Sequence, residues 1–141
     1  MSEESVAKEI WEKALEIFPE SRPFLYEEDK DLAYITMSGL IDYLESIHDC
    51  SHSQAVLHAV KEFHEWAGEH PRGADSKDDV LTIYTVGFAE KLFEKPALVG
   101  FVPHLFSRAD LINNKDYWVT WTGAASYAHA LSLFDKRGSA R

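Results

Sequence analysis

Five of the chain's seven histidines and its only cysteine lie in one stretch, HDCSHSQAVLHAVKEFHEWAGEH, residues 48–70. Imidazole and thiolate groups bind metals and act in catalysis, so the first question is whether these side chains converge. His52, His58, His64 and His70 recur every six residues, and each step turns a helix by about 240° at roughly 100° per residue. The four histidines therefore point in different directions, and we expect no bound metal and no cofactor.

Two shorter patterns in the same stretch keep a rival hypothesis open. Glu45 and His48 form an E-x-x-H pair, and His52 follows His48 by four residues. A di-iron bundle needs a second such pair and two further glutamates on facing helices, and the sequence has only one pair. Cys50 lies between the two histidines, and a neighbouring histidine can activate a cysteine thiolate. The sequence shows no acidic residue that would orient such a histidine. The alternative is a metal-binding or hydrolytic helical-bundle enzyme that uses the His48/His52 neighbourhood, with a predicted helix break at 49–53.

His64 has a different environment from the other histidines. On the wheel of the helix that follows residue 53, it lies between Val60 and Leu57 on the apolar side, whereas His58 lies on the polar side. We predict that His64 is a histidine at the edge of the core with one hydrogen-bonded ring nitrogen.

The elements that position these residues are predicted to be helices. Apolar residues at helical spacing predict helices at 5–18, 32–48, 53–67, 78–94 and 115–134. Ser2 is the predicted N-cap of the first helix and Ser51 or Ser53 that of the third, with Pro19 and Gly68 as stops. A connector is predicted at 19–31, and short helices within 96–114. No run of alternating polarity is long enough to predict a strand. The fold class is therefore all-α, a single domain over 1–141 with five to six helices and a frayed tail at 135–141.

The segment 78–94 is predicted to be the central helix. Its apolar residues extend nearly all the way round the wheel, which is typical of a helix surrounded by others. Ser76, three residues before Asp79, resembles a capping box at its start. The polar residues share a narrow arc: Asp79, Glu90, Lys91 and Glu94.

The C-terminal stretch DYWVTWTGAASYAHALSLF is rich in aromatic residues. On one continuous helix, Tyr117, Trp118, Trp121 and His129 fall within an arc of about 120°. That arc is either a packing face against the central helix or a protein-binding site, because Trp and Tyr dominate such sites. Trp118 and Trp121 are therefore candidate partner-binding residues.

Charge excludes some classes of partner. The chain carries 24 Asp and Glu against 14 Lys and Arg, a net charge of −10. Such a field repels nucleic acid and anionic lipid, and no basic patch with interleaved aromatics is present. A lone cysteine, the absence of a long apolar run and an acidic N-terminus without a secretory pattern predict a cytoplasmic protein.

The negative charge is concentrated near the N-terminus. Residues 1–45 hold twelve acidic and four basic residues, a net of −8. Glu9, Glu12 and Glu16 lie within about 60° on the outer side of the first helix, and Glu9 can pair with Lys13. These three glutamates are candidate partner-binding residues for a basic protein, although high acidity also favours simple solubility.

The order of features resembles a known family. An amphipathic helix ends in Phe18-Pro19-Glu20, and a later helix reads VLTIYTVGFAEKLFEK with Phe88, Glu90 and Leu92 in place. Over roughly residues 7–112 this resembles small acidic helical bacterial proteins of unknown function, some of which are similar to toxin-immunity proteins. The loop at 69–77 and the Trp-rich C-terminus depart from that pattern. The resemblance implies a helical fold and no catalysis.

Together these patterns favour a non-enzymatic binding protein that presents an acidic helical face to a basic protein partner. A toxin-neutralising immunity protein is the sharpest form of this hypothesis. No catalytic residue is assigned. Besides the enzyme that uses His48 and His52, a self-associating structural protein remains an alternative, and the oligomeric state stays open.

Overall fold

Helices account for all the regular secondary structure within the described residues. The computed structural model describes residues 3–75 and 78–139, and no strand occurs among them. The α-helices are α1 (Glu3–Ile17), α2 (Ala33–Glu45), α3 (Gln54–Glu69), α4 (Val80–Tyr84), α5 (Glu90–Glu94), α6 (Val102–Leu105), α7 (Arg108–Asn113), α8 (Lys115–Thr122) and α9 (Ala124–Ser139). A π-helical turn, Thr85–Ala89, joins α4 to α5, and the three together are called the central helix.

The all-α, single-domain prediction is confirmed. If the central helix is counted once, six helical stretches of eight or more residues occur in the described part of the chain, and α6 and α7 are shorter. The connector at 19–31 forms two 3-10 helices, Pro19–Phe24 and Glu27–Asp29. Ser2 and residues 140–141 lie outside the described residues, so the first N-cap and the frayed tail at 135–141 stay predictions, although the backbone of α9 is helical to Ser139.

The central helix packs against α2, α3, α8 and α9. Its Phe88 is fully buried, with ring centroids 5.3 Å from Phe63 of α3 and 5.4 Å from Tyr84 one turn earlier. The ring centroid of Phe18, the residue after α1, lies 5.7 Å from that of Phe63. This aromatic cluster ties three helices together and confirms the central position predicted for this segment.

Several predicted helix boundaries are wrong. The helix predicted to reach residue 48 ends at Glu45, and Gly68 does not end α3, which continues to Glu69. Ser53, one of the two predicted N-caps of α3, is confirmed. The central helix begins at Val80, and its N-cap is Asp79, whose side chain accepts a hydrogen bond from the Thr82 N–H. Ser76, the predicted capping residue, lies outside the described residues.

The predicted helix 115–134 is two helices. Gly123 separates α8 from α9 with φ 96° and ψ 148°, a conformation that only glycine adopts readily. The chain changes direction there, so α8 and α9 pack against each other and both pack against α5. The arc that placed Trp118, Trp121 and His129 on one helical face therefore does not exist.

Candidate functional site

The histidine stretch does not form a metal centre among the described residues. Asp49 has a left-handed backbone (φ 51°), and the predicted helix break is found between α2 and α3. The His48 side chain is 95% exposed and pairs only with the adjacent Asp49, at 3.1 Å. Within residues 3–75 and 78–139, no three His, Cys, Asp or Glu side chains are placed to hold an ion.

The prediction for His64 is confirmed. Its Nδ1 shares a 2.7 Å hydrogen bond with the hydroxyl of Tyr84, a fully buried residue of the central helix. The imidazole also packs edge-on against Phe106, with centroids 5.2 Å apart. Burial lowers the pKa of His64, so the neutral ring is favoured.

Cys50 is buried and has an environment that opposes thiolate chemistry. Its thiol approaches the Ala97 carbonyl, with Sγ and O 3.7 Å apart. Burial raises the pKa of the Cys50 thiol above its ordinary value. Because a nucleophilic cysteine depends on a lowered pKa, this position lacks the activation that the rival hypothesis needs.

The fold brings together three histidines that the sequence did not group. His52, His104 and His129 line one groove of about 370 Å³, with Ser51 and Gly100 in close contact at its base. The three rings come from three different elements, so no spacing rule along the chain predicts the grouping. They are not among groups able to hold an ion in the described part of the chain.

The three candidate glutamates of α1 do not share one environment. Glu12 and Glu16 are exposed, and Glu16 forms an ion pair with Lys13. Glu9 accepts a 2.7 Å hydrogen bond from Nε2 of His70, just beyond the end of α3. The predicted Glu9–Lys13 pair is therefore replaced by Lys13–Glu16, and Glu9 holds α1 against α3.

The two candidate tryptophans have opposite environments. Trp118 is 5% exposed and stacks on Phe93 of α5, with ring centroids 4.1 Å apart, so it is a core residue. Trp121, three residues later, is 62% exposed. The break at Gly123 leaves Trp121 at the open end of α8, where it lines a groove against the central helix.

This groove, called the Trp121 groove, has a volume of about 450 Å³. Its walls are mainly apolar, and the exposed Val86 belongs to the π-helical turn. The central helix is therefore open on one side, where the sequence predicted that neighbouring helices surround it. The lining residues are Arg72, Leu81, Thr82, Thr85, Val86, Glu90, Tyr117 and Trp121.

A buried carboxylate lies in the wall of the Trp121 groove. Glu90 is only 6% exposed, although the sequence placed it on a polar arc. The hydroxyl of Tyr117 on α8 donates a 2.5 Å hydrogen bond to Glu90 Oε2. Burial raises the pKa of Glu90, and the Tyr117 hydrogen bond partly opposes that effect because it favours the ionised form.

At the other end of the groove, Arg72 forms an ion pair with Asp79. Its Nε and Nη2 donate to both carboxylate oxygens of Asp79 at 2.8–3.1 Å, and the Gly73 N–H donates to Oδ1 at 3.0 Å. This bidentate contact and the hydrogen bonds from Thr82 hold the pKa of Asp79 well below its ordinary value. The pair fixes the loop after α3 to the start of the central helix.

Comparisons with protein-family models, with curated protein sequences and with solved structures found no match to this chain. The roles proposed for the acidic face and for the Trp121 groove therefore rest on the residues that form them. None of the helices within residues 3–75 and 78–139 combines the length and the apolar character that a membrane span requires.

Neither periodicity nor composition indicates that Glu90, Tyr117 and Arg72 line one groove. One signal was present, since Glu90 is a carboxylate on a helix that is otherwise largely apolar, and buried carboxylates are uncommon unless partnered. The partner Tyr117 is 27 residues away, and Arg72 is in a loop. Their approach depends on the packing of α8 and on the path of residues 70–75, neither of which follows from periodicity.

Proposed function

We propose that this protein is a non-enzymatic binding protein whose acidic face, formed by exposed carboxylates of residues 9–45, receives a basic protein partner. Eight of these carboxylates are exposed: Glu12, Glu16, Glu20, Glu27, Glu28, Asp31, Asp42 and Glu45. Three of them, Glu16, Glu27 and Glu45, form ion pairs with lysines, and the other five have no ion-pair partner among the described residues. Exposed carboxylates in excess of nearby lysines raise the local concentration of a cationic partner and speed its association.

The observation that supports the proposal most is the position of Glu12. It is exposed at the middle of the outer side of α1 and has no hydrogen-bond or ion-pair partner among the residues that the structure describes. Its neighbours Glu9 and Glu16 contact His70 and Lys13, whereas no residue within 3–75 and 78–139 forms a hydrogen bond or an ion pair with the Glu12 carboxylate. A charge that contributes nothing to folding is available for a partner.

The sharpest form of the proposal is a toxin-neutralising immunity protein. It draws on the resemblance carried by Phe18-Pro19-Glu20 and by the central helix. An acidic protein of this kind binds a basic toxin and covers the surface that the toxin needs. In this form the biological partner is a basic protein that is harmful to the cell when this chain is absent.

The first test is capture of partners with a matched control. The wild-type chain and the double variant Glu12→Lys, Glu16→Lys are immobilised side by side and exposed to extract of the source organism at low and high salt. The proposal expects a basic protein that binds the wild-type chain at low salt and is depleted on the variant. Identical captured sets on both surfaces would contradict it.

A further inference from the structure

The two charged residues of the Trp121 groove differ in how far the fold neutralises them. Arg72 is held by Asp79 through two nitrogens, so its charge already has a counterion. Glu90 has no such partner. Within residues 3–75 and 78–139, no Lys, Arg or His nitrogen forms an ion pair with its carboxylate, which accepts only the neutral hydroxyl of Tyr117.

The nearest lysines have other partners. Lys91 pairs with Glu94 at 3.7 Å, and Lys95 pairs with Glu45 at 3.5 Å. Both lysines line an adjoining groove that meets the Trp121 groove at Val86 and Glu90. A carboxylate that is nearly buried and lacks a cation is costly, because ionised groups in protein interiors are normally paired. Glu90 therefore has no ion-pair partner in the described part of the chain, and the charge of Lys91, which pairs with Glu94, favours its ionised form only from beyond ion-pair distance.

The remaining walls suit the apolar part of a ligand. Leu81 and Val86 are aliphatic, and Trp121 and Tyr117 present aromatic surface. An indole face attracts cations as well as apolar groups. The π-helical turn at Thr85–Ala89 widens the helix beside Glu90, and such turns are frequent at functional sites. A volume of about 450 Å³ is within the usual range of small-ligand pockets.

We propose that the Trp121 groove binds an ammonium group carried on a short apolar stem, with Glu90 as counterion, Tyr117 as the residue that positions Glu90, and Trp121 as the aromatic wall. Arg72 and Asp79 close the far end as a neutral pair. Leu81 and Val86 line the same groove as Glu90, and the apolar stem lies against them. A free alkylamine and a lysine side chain both offer this chemistry.

The test measures binding of three probes by NMR titration, following the backbone N–H signals of the groove residues Thr85 and Val86, which every variant keeps. n-Pentylamine represents a free amine, the blocked tripeptide acetyl-Ala-Lys-Ala-amide represents a lysine side chain, and n-pentanol is the neutral control. We expect n-pentylamine or the tripeptide to bind at least tenfold more tightly than n-pentanol, since a charge-assisted hydrogen bond is lost with the alcohol. Binding of the amine alone identifies a small-molecule site, and binding of the tripeptide alone identifies a lysine-recognition site.

Variants assign the effect to the groove. Glu90→Gln keeps the shape and an acceptor for Tyr117 and is expected to weaken binding of the cationic probe roughly tenfold. Glu12→Gln makes the same change in net charge on α1 and is expected to leave binding unchanged. Trp121→Ala alters an exposed residue, so folding is not at risk, and we expect a loss of roughly two- to fivefold.

The proposal is overturned if neither cationic probe binds, if n-pentanol binds equally well, or if Trp121→Ala and Glu90→Gln leave the affinity unchanged. It does not depend on the acidic face of α1, because the probes are small and Glu12 does not line the groove. Loss of probe binding with intact partner capture, or the reverse, shows which of the two proposals has failed.

Discussion

The Tyr117 hydroxyl of α8 donates a 2.5 Å hydrogen bond to the carboxylate of Glu90 on the central helix. This contact joins two elements that are distant in the sequence, and it positions the charge that faces the Trp121 groove. The groups that face Glu90 are Tyr117 of α8, Tyr34 of α2, and Lys91 and Glu94 of its own helix. The hydrogen bond stabilises the ionised form of Glu90.

Tyr117→Phe is therefore expected to raise the pKa of Glu90 further. The change removes the only hydrogen bond that the described residues donate to this carboxylate. The hydrogen bond then no longer opposes the rise in the pKa of Glu90 that burial causes. We expect a loss of about 1–3 kcal/mol in the free energy of unfolding, the usual range for a hydrogen bond to a charged group. NMR titration of the Glu90 side-chain carboxyl carbon measures the shift, and an unchanged pKa would contradict the assigned contact.

Phe88→Ala is expected to be among the most destabilising substitutions in the chain. Phe88 is fully buried between Phe63 and Tyr84, and removing a core phenyl ring costs about 3–5 kcal/mol. Val86→Ala, on the exposed side of the same helix, is the control and is expected to cost under about 1 kcal/mol. Chemical denaturation measures both. Equal losses would show that the central helix does not bury the face described above.

Two exposed glycines are expected to respond to alanine with opposite signs. Gly123 has φ 96°, so Gly123→Ala forces a side chain into a strained conformation at a cost of about 1–3 kcal/mol. Gly68 is inside α3 with open space around it, so Gly68→Ala is expected to stabilise by up to about 1 kcal/mol. Thermal unfolding of both variants checks the pair. Stabilisation by Gly123→Ala would mean that α8 and α9 form one continuous helix.

These two glycines also show what the sequence can and cannot predict. The amphipathic pattern predicts the long helices, because a helix that buries one face has apolar residues at helical spacing. The pattern does not predict whether a glycine ends a helix. That depends on whether the flanking segments are more stable when they pack as two helices than as one. The sequence predicts a stop at Gly68, which is helical, and a continuous helix through Gly123, which is a break.

The candidate sites show the same limit: features within one helix are predicted, and contacts between distant residues are not. His64 was predicted correctly because its position on the apolar side of one helix is a local property. The pairing of Glu90 with Tyr117 and that of Glu9 with His70 join elements 27 and 61 residues apart. No periodicity along the chain indicates which residues so far apart in the sequence come into contact. The separation of Trp118 from Trp121 likewise depends on where α8 ends, and on the packing of Trp118 against Phe93.

His64 is expected to make stability fall in mildly acidic solution. Burial lowers its pKa in the folded chain from the ordinary value of 6.5. Between pH 6.5 and the lower folded value, the unfolded chain binds the proton more readily, so the free energy of unfolding decreases as the pH falls. Well above pH 6.5 the ring is neutral in both states and contributes little slope.

The comparison of His64→Gln with His58→Gln isolates this effect. His58 is largely exposed beside Glu62, so His58→Gln is the control for loss of an imidazole outside the core. His64→Gln removes the titrating group and is expected to flatten the slope between pH 6.5 and 5. The test is urea denaturation at several pH values. Identical slopes for the two variants would contradict the environment assigned to His64.

The exposed carboxylates of α1 are the surface to which the proposed basic partner binds. Reversal of Glu12 and Glu16 to lysine removes only the Lys13–Glu16 pair from the fold, so we expect the melting temperature to change little. The same reversal changes the charge of the outer side of α1 by four units. Its effect on stability and its effect on association can therefore be separated.

The most direct measurement is the association rate constant of the captured basic partner with wild-type chain and with Glu12→Lys, Glu16→Lys, at low and at high salt. We expect association with the variant to be roughly tenfold slower or more at low salt, with a weaker salt dependence and a less altered dissociation rate. Equal association rate constants at low salt would contradict the claim and would leave the acidic face of α1 with no role in binding.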